Sequence, residues 1–530
     1  MFALNLYTTD SMPKSQRLMS TVKRSMPGSM TPDGHGHPPR RAALHNLGCK
    51  VNSYELDVMA QELRAAGWEI VPFEETAEVY IVNTCTVTGI ADRKSRQMLH
   101  RAKHTNPEAL VVAAGCYVET DRAKLDGDPL VDLCIGNAQK TGIAQILQEV
   151  LRERGAGSGT PDPAGAAHPE KRTAADSGRK ADVPSRGNED SRSAKAAPQL
   201  AAPGRTRADI KIQDGCNMFC TYCIIPYARG RIRSRDPEEV VCEVRTLAQS
   251  GVKEVVLTGI HISSYGKEWG RRAAAGTGKD GEGKDGPLRE ETPDPGRELL
   301  QLLTRLQMIA GLRRIRLGSL EPRIITEEFV QGLSRLSKIC PHFHLSLQSG
   351  CDETLRRMNR HYTVQEYRES VQLLRQYYDR PAITTDIIAG FPGETPEEFE
   401  QTVEFVREIG FYQIHVFKYS PRKGTPAVKF PHPCTDSEKT QRSHILLDLT
   451  KTQAAAYRQS FFGGQEEILL EDEMEIQGKR YYAGHTTRYI EALVPAQGHC
   501  SGEFVSGVLG PGPEGTEYPV LLVQSPPAIG

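Results

Sequence analysis

Apolar and polar positions follow three regimes along the chain. From Ala42, short aliphatic runs alternate with longer stretches whose apolar side chains recur at helical spacing, ending in TGIAQILQEVLRER near residue 154. This predicts a small parallel α/β domain over residues 41–154. From about Asp209 a second series begins, with strand candidates ADIKIQ, KEVVLTGIHI, RRIRLGSL, HFHLSLQS, AITTDIIAG and YQIHVFKYS. Helix patterns such as DPEEVVCEVRTLAQSG and TPEEFEQTVEFVREIG lie between them. Such βα repetition predicts a partial (βα) barrel over residues 206–454, with function at the C-terminal ends of its strands. After about Ala454 the chain shortens into EEILLEDE, KRYYAGHTTRYIEALV, GEFVSGVLG and EYPVLLV, which predict a small β-barrel over residues 455–526.

Three segments break this pattern. Residues 1–40 lack periodicity, residues 155–205 are Gly, Ala, Pro, Ser and charge, and about 266–297 interrupts one βα loop. Their few large apolar residues cannot bury enough surface to fold, so they read as a disordered extension, a linker and an insertion.

Bulk composition adds little. With a net charge of -1 and 25% charged residues, any nucleic-acid contact must come from local basic patches. No apolar run is long enough to span a bilayer, and MFALNLYTTDSMPKSQRLMS lacks a secretory signal's apolar core, so a cytoplasmic protein without membrane contact is expected. In that compartment the 12 cysteines are metal ligands or thiols before they are disulfides.

Three of them crowd into GCNMFCTYC, as Cys216, Cys220 and Cys223. Structural zinc wants four closed ligands and usually a second C-x-x-C, which is missing nearby. Three thiolates suit a 4Fe-4S cluster that keeps one iron open to a small molecule. The loop follows the first strand of the barrel series, so the open iron would face the barrel mouth. This arrangement looks like the radical S-adenosylmethionine superfamily, in which the cofactor chelates the open iron and is cleaved to a 5'-deoxyadenosyl radical. Thr258 and Gly259, Gln348 and Gly390 stand at other strand ends and are candidate cofactor contacts, against a reading as ordinary turn chemistry. Glu394 is left out, because Thr395-Pro396-Glu397-Glu398 has the form of a helix cap.

A second trio, Cys49, Cys85 and Cys116, follows the strand runs AALHN, VYIVNT and LVVAAG. If those strands are parallel, all three thiols emerge on one sheet edge, where open α/β folds bind ligands; three unrelated cysteines are the alternative. The motifs NLGCKVNSYELD, VNTCTVT, AAGCY, QDGCNMFCTYCIIPYARGRIRSR, LSLQSGCDETLRRMNRHYT and DIIAGFPGET together resemble the tRNA methylthiotransferases, most of all their threonylcarbamoyladenosine branch. The resemblance spans about residues 42–526 outside the two interior breaks. It implies a second 4Fe-4S cluster on Cys49, Cys85 and Cys116 beside the radical cluster on Cys216, Cys220 and Cys223. It also implies S-adenosylmethionine as cofactor, the anticodon stem-loop of tRNA as partner, a reducing electron donor, and action as a monomer.

The resemblance implies methylthiolation of C2 of N6-threonylcarbamoyladenosine at position 37 of tRNA. The alternatives are isopentenyladenosine, a ribosomal-protein aspartate, or a non-catalytic RNA-binding iron-sulfur protein; KVN after Cys49 favours the threonylcarbamoyl branch. No acid-base residue is singled out, since the cofactor carries the hard step. The run Arg229 to Arg235 could grip phosphate or a carboxylate. The C-terminal module looks like a TRAM domain, whose Lys479, Arg480, Tyr481, Tyr482, Arg488 and Tyr489 could meet RNA. Of the cysteines outside both trios, Cys242 is expected in the core.

Overall fold

The computed structural model describes residues 39–156, 206–269 and 295–523. The expected extension, the linker and most of the insertion lie outside these residues.

The N-terminal unit is a five-stranded parallel sheet in the order β2-β1-β3-β4-β5, built from β1 (Arg41–Asn46), β2 (Glu69–Val71), β3 (Val79–Thr84), β4 (Leu110–Gly115) and β5 (Leu133–Ile135). Helices α1 (Lys50–Ala65), α2 (Gly89–Thr105), α3 (Cys116–Asp126) and α4 (Ile143–Ala156) make the crossovers. Every residue of β3 and β4 is buried, as strands covered on both faces must be. Alternate side chains feed two cores, Tyr80, Val82 and Val111 on one face and Ile81, Leu110 and Val112 on the other. Chain direction across the sheet reverses between β1 and β3, and such a switch point opens a crevice at the C-terminal strand ends.

The middle unit carries six parallel strands in an arc. β6 (Arg207–Asp214), β8 (Glu254–Gly259) and β9 (Arg314–Leu317) form one sheet, edged by the antiparallel β7 (Arg233–Ser234). β10 (His342–His344), β11 (Ala382–Ala389) and β12 (Gln413–Lys418) form the other. Parallel bridges Ile315–Ile339 and Leu320–Leu345 join the two. The outer helices include α5 (Ile225–Arg229), α6 (Pro237–Gln249), α7 (Arg297–Gln307), α8 (Glu327–Ser334), α9 (Asp352–Arg357), α10 (Val364–Tyr377) and α11 (Pro396–Ile409). Thr395 and Glu398 do form the capping box of α11. HFHLSLQS supplies only three strand residues, His342–His344, followed by isolated bridges at Leu345 and Gln348.

Among the described residues β6 and β12 do not pair, which leaves a lateral seam. The N-terminal unit spans it. On one side Lys211 of β6 binds Glu55 at 2.7 Å; on the other Arg422, beyond β12, binds Asp92 at 2.7 Å and Thr86 at 2.6 Å.

The last helix, α12 (Asp436–Gln459), runs past the expected boundary at Ala454, and five strands then close a barrel. These are β13 (Gln465–Ile476), β14 (Lys479–Thr486), β15 (Glu491–Pro495), β16 (Phe504–Gly510) and β17 (Val520–Leu522), in the order β13-β14-β15-β17-β16. This barrel docks at the N-terminal side of the arc. There the fully buried Arg316 donates to the carbonyls of Thr486 and Thr487 at 2.5 and 2.9 Å and to Glu254 at 2.6 Å.

Candidate functional site

The loop after β6 is shaped by glycine and by backbone contacts. Gly215 has φ +71°, and a Cβ there would lie 1.9 Å from the carbonyl oxygen of Arg231, so no other residue fits. The Cys216 amide donates to Gly230 at 3.0 Å, and the Cys223 amide to Cys220 at 2.9 Å. The far side of the arc pins the loop: Thr221 donates to the Met358 and Arg357 carbonyls, and Arg360 donates to Sγ of Cys220 at 3.3 Å. Burial pushes the thiols of Cys216 and Cys223 up, the latter to about 12, so without metal both keep their protons. A bound metal has to displace those protons.

The second trio sits at the switch point of the N-terminal sheet. A Cβ on Gly48 would lie 2.8 Å from Sγ of Cys85, which sets that thiol against the residue before Cys49. The Cys116 loop abuts the Cys85 loop, since a Cβ on Gly115 would lie 2.8 Å from the Thr84 carbonyl. Burial raises the pKa of Cys49 and Cys85, and the neighbouring thiols of the trio raise it further. Asn52 holds the loops together, donating to the carbonyls of Leu47 at 2.8 Å and Thr84 at 3.0 Å.

Arg229 links this trio to the barrel, a role the sequence pattern did not suggest. It is buried and donates from Nε to Sγ of Cys116 at 3.2 Å, from Nη1 to Glu55 at 2.8 Å and Asp214 at 3.2 Å, and from Nη2 to Asn52 at 2.6 Å. Burial opposes the charge on Arg229, yet Cys116, Glu55 and Asp214 outweigh it and raise its pKa. Burial likewise opposes the charge on Glu55, but Arg229, Lys140 and Lys211 hold that carboxylate well below its usual range.

The expected arginine grip therefore fails at Arg229 and at Arg235, which binds Glu243 at 2.7 Å. A basic run reads as a ligand grip only while its acidic partners, distant in sequence, are out of view. Two further expectations are corrected. Cys242 is exposed on α6 rather than in the core. Arg488 pairs with Glu466 at 3.2 Å, and Tyr489 stacks on His342 at 4.5 Å between ring centres, so neither is free to meet RNA.

The two trios share a wall. Cys49 packs in one apolar cluster with Val51, Ile224, Ile225 and Ile260, and Cys216 and Cys223 lie against the same cluster. Beside it a cavity, part of it open to solvent, runs into the arc from Lys50 to Tyr489. Thr258 and Gly259 line it, together with His342, His344, His415 and His485. The Gln348 side chain is completely buried, with neither its oxygen nor its nitrogen hydrogen-bonded. Gly390 is not brought to the cavity; its Cβ position is filled by Lys439 of α12, 2.4 Å away.

His344, Asp386 and His415 place ligand atoms within 4.8 Å of one another at the cavity wall, with His344 3.4 Å from Asp386. The Asp386 oxygens have no hydrogen-bond donor.

These residues fit the groups that the motifs imply. Each trio brings three cysteines that form no disulfide onto neighbouring loops, the donor set of a 4Fe-4S cluster with an open iron. The buried amide of Gln348 is a donor and an acceptor without a protein partner.

Comparison with known proteins gives the chain's family. Residues 210–406 match the Radical SAM superfamily, and residues 41–136 match an uncharacterized protein family, UPF0004. Threonylcarbamoyladenosine tRNA methylthiotransferase MtaB of Bacillus subtilis is 36% identical over 455 residues, 85% of this chain and 89% of its own. The protein of that name in Aquifex aeolicus is also 36% identical, over 83% of this chain and 95% of its own. The tRNA-2-methylthio-N(6)-dimethylallyladenosine synthase of Moorella thermoacetica is 33% identical over 80% of this chain and 85% of its own. The protein is an enzyme of sulfur-group transfer, and its cofactors are S-adenosylmethionine and 4Fe-4S clusters. With this identity over most of its length, the chain belongs to the tRNA methylthiotransferase family of radical S-adenosylmethionine enzymes.

Proposed function

We propose that the protein methylthiolates C2 of N6-threonylcarbamoyladenosine at position 37 of tRNA, with one 4Fe-4S cluster on Cys216, Cys220 and Cys223 and a second on Cys49, Cys85 and Cys116. The observation that supports this reading is the shared apolar wall, a cluster that contains Cys49 and against which Cys216 and Cys223 pack. When bound, these groups supply a methyl group, sulfur and a 5'-deoxyadenosyl radical able to take an unactivated hydrogen. The protein's part is binding, orientation and exclusion of water.

Thr258, Gly259 and Gln348 supply short side chains, close backbone and an unpaired amide toward S-adenosylmethionine, and Gly390 frees the chain to turn at its strand end. The apolar wall of Val51, Ile224, Ile225 and Ile260 keeps water from the space between the trios. Arg229 fixes the second trio to the barrel. The adenine leaves its loop stack to enter the cavity. Lys479, exposed on β14, meets tRNA phosphates with Tyr481 and Tyr482 nearby. The enzyme works as a cytoplasmic monomer supplied by a reducing electron donor; no helix among the described residues is long and apolar enough to cross a membrane.

Nucleoside mass spectrometry of tRNA from a strain lacking the gene tests the substrate. The 2-methylthio form of threonylcarbamoyladenosine should vanish. Its persistence, with loss of the isopentenyl counterpart, would move the assignment to the other branch.

A further inference from the structure

One cation faces the cavity without an acidic partner. Lys50 lines it, follows Cys49 directly, and has no carboxylate within ion-pair distance among the described residues. The acids close by are otherwise engaged: Asp386 lies 3.4 Å from His344, and burial raises the pKa of Glu491. A half-buried cation in a cavity walled by imidazoles and Tyr489 is a site prepared for an anion.

An adenine whose C2 approaches the sulfur side of Cys49 carries N6 on the same six-membered ring, so its N6 substituent falls within reach of the residue after Cys49.

We propose that Lys50 is a specificity-determining residue that pairs with the carboxylate of the threonylcarbamoyl group. This rests on the substrate reading above and deepens it. An uncharged isopentenyl group would leave the ammonium desolvated and unpaired, and a site built around a polar partner rejects an analogue that lacks it.

The same chemistry is offered by the methionine carboxylate of S-adenosylmethionine, and the test separates the two. Anticodon stem-loop RNAs carry threonylcarbamoyladenosine, its threoninamide analogue or isopentenyladenosine. Binding and product formation are measured for the reconstituted wild type and for Lys50→Gln and Lys50→Arg, at matched iron per chain.

The wild type should bind the carboxylate RNA about tenfold or more tightly than the amide. That ratio should fall to about one in Lys50→Gln and largely return in Lys50→Arg. An unchanged ratio in Lys50→Gln, or an equal loss on both RNAs, overturns the proposal. A matching loss of affinity for S-adenosylmethionine gives the lysine to the cofactor and overturns it as well. A wild type that converts only the isopentenyl RNA sinks the substrate reading instead. One that converts the threonylcarbamoyl RNA while Lys50→Gln keeps the ratio sinks only the role of Lys50.

Discussion

Nε of Arg229 donates to Sγ of Cys116 across 3.2 Å, joining a thiol of the N-terminal sheet to the helix that follows the radical-cluster loop. One side chain thus ties the geometry of one trio to that of the other. Its remaining bonds go to Glu55, Asp214 and Asn52, so the guanidinium neutralises two buried acids as it holds the sulfur.

Replacing this arginine strips Asn52 and Cys116 of a donor, while Lys140 and Lys211 still pair Glu55 and Asp214. Arg229→Met should destabilise the protein by about 1–3 kcal/mol, the usual cost of leaving buried polar groups without their partner. Urea unfolding checks this; a change in midpoint too small to measure would mean that the network contributes little.

Loss of one trio should leave the other intact. Wild type should carry about eight irons per chain, and Cys85→Ala about four. Cys85→Ala should still release 5'-deoxyadenosine from S-adenosylmethionine, whereas Cys220→Ala should retain about four irons and release none. Iron and sulfide analysis with chromatography of the released nucleoside checks both, and a wild type with about four irons would remove the second site.

The C-terminal barrel should loosen without its buried anchor. In Arg316→Met the carbonyls of Thr486 and Thr487 and the carboxylate of Glu254 lose their donor, so limited proteolysis should cut between α12 and β13 severalfold faster. Unchanged cleavage would place the docking energy in the apolar contacts around Tyr412 and Phe461.

Acid should act through His415. Burial is the main cause that lowers its pKa to about 4, so between about pH 6.5 and 4 the unfolded chain binds a proton that the folded chain does not. This residue's contribution to stability is therefore intact above pH 6.5 and falls as pH drops through that window. Unfolding of His415→Asn at pH 7 and pH 5 should show a shallower loss than wild type; equal slopes would mean that the ring is solvated in the folded state.

Much of this was legible in the residues. Period-two and helical patterns placed the six strands of the arc, and strand ends marked both cysteine trios, because parallel strands carry sequence-distant residues to one edge. Partnerships across domains were not legible. YARGRIRSR reads as a grip for phosphate or a ligand carboxylate because Glu55 and Asp214, which draw Arg229 inside, lie in other segments. Cys242 took a helix position that faces solvent although small thiols are usually buried. Tyr489 looked like an RNA contact until folding laid it on His342, from another domain. Lys50 is one polar residue at a helix start, and only the cavity gives its charge a direction.

The most direct test of the two-cluster sulfur-inserting account is the mass of the product nucleoside. Reduced, fully reconstituted enzyme is incubated with S-adenosylmethionine and an anticodon stem-loop carrying threonylcarbamoyladenosine, and the RNA is then digested. The account predicts a methylthio group in place of the C2 hydrogen, formed by wild type and by neither Cys85→Ala nor Cys220→Ala. Release of 5'-deoxyadenosine by wild type with no mass gain on that nucleoside would contradict it.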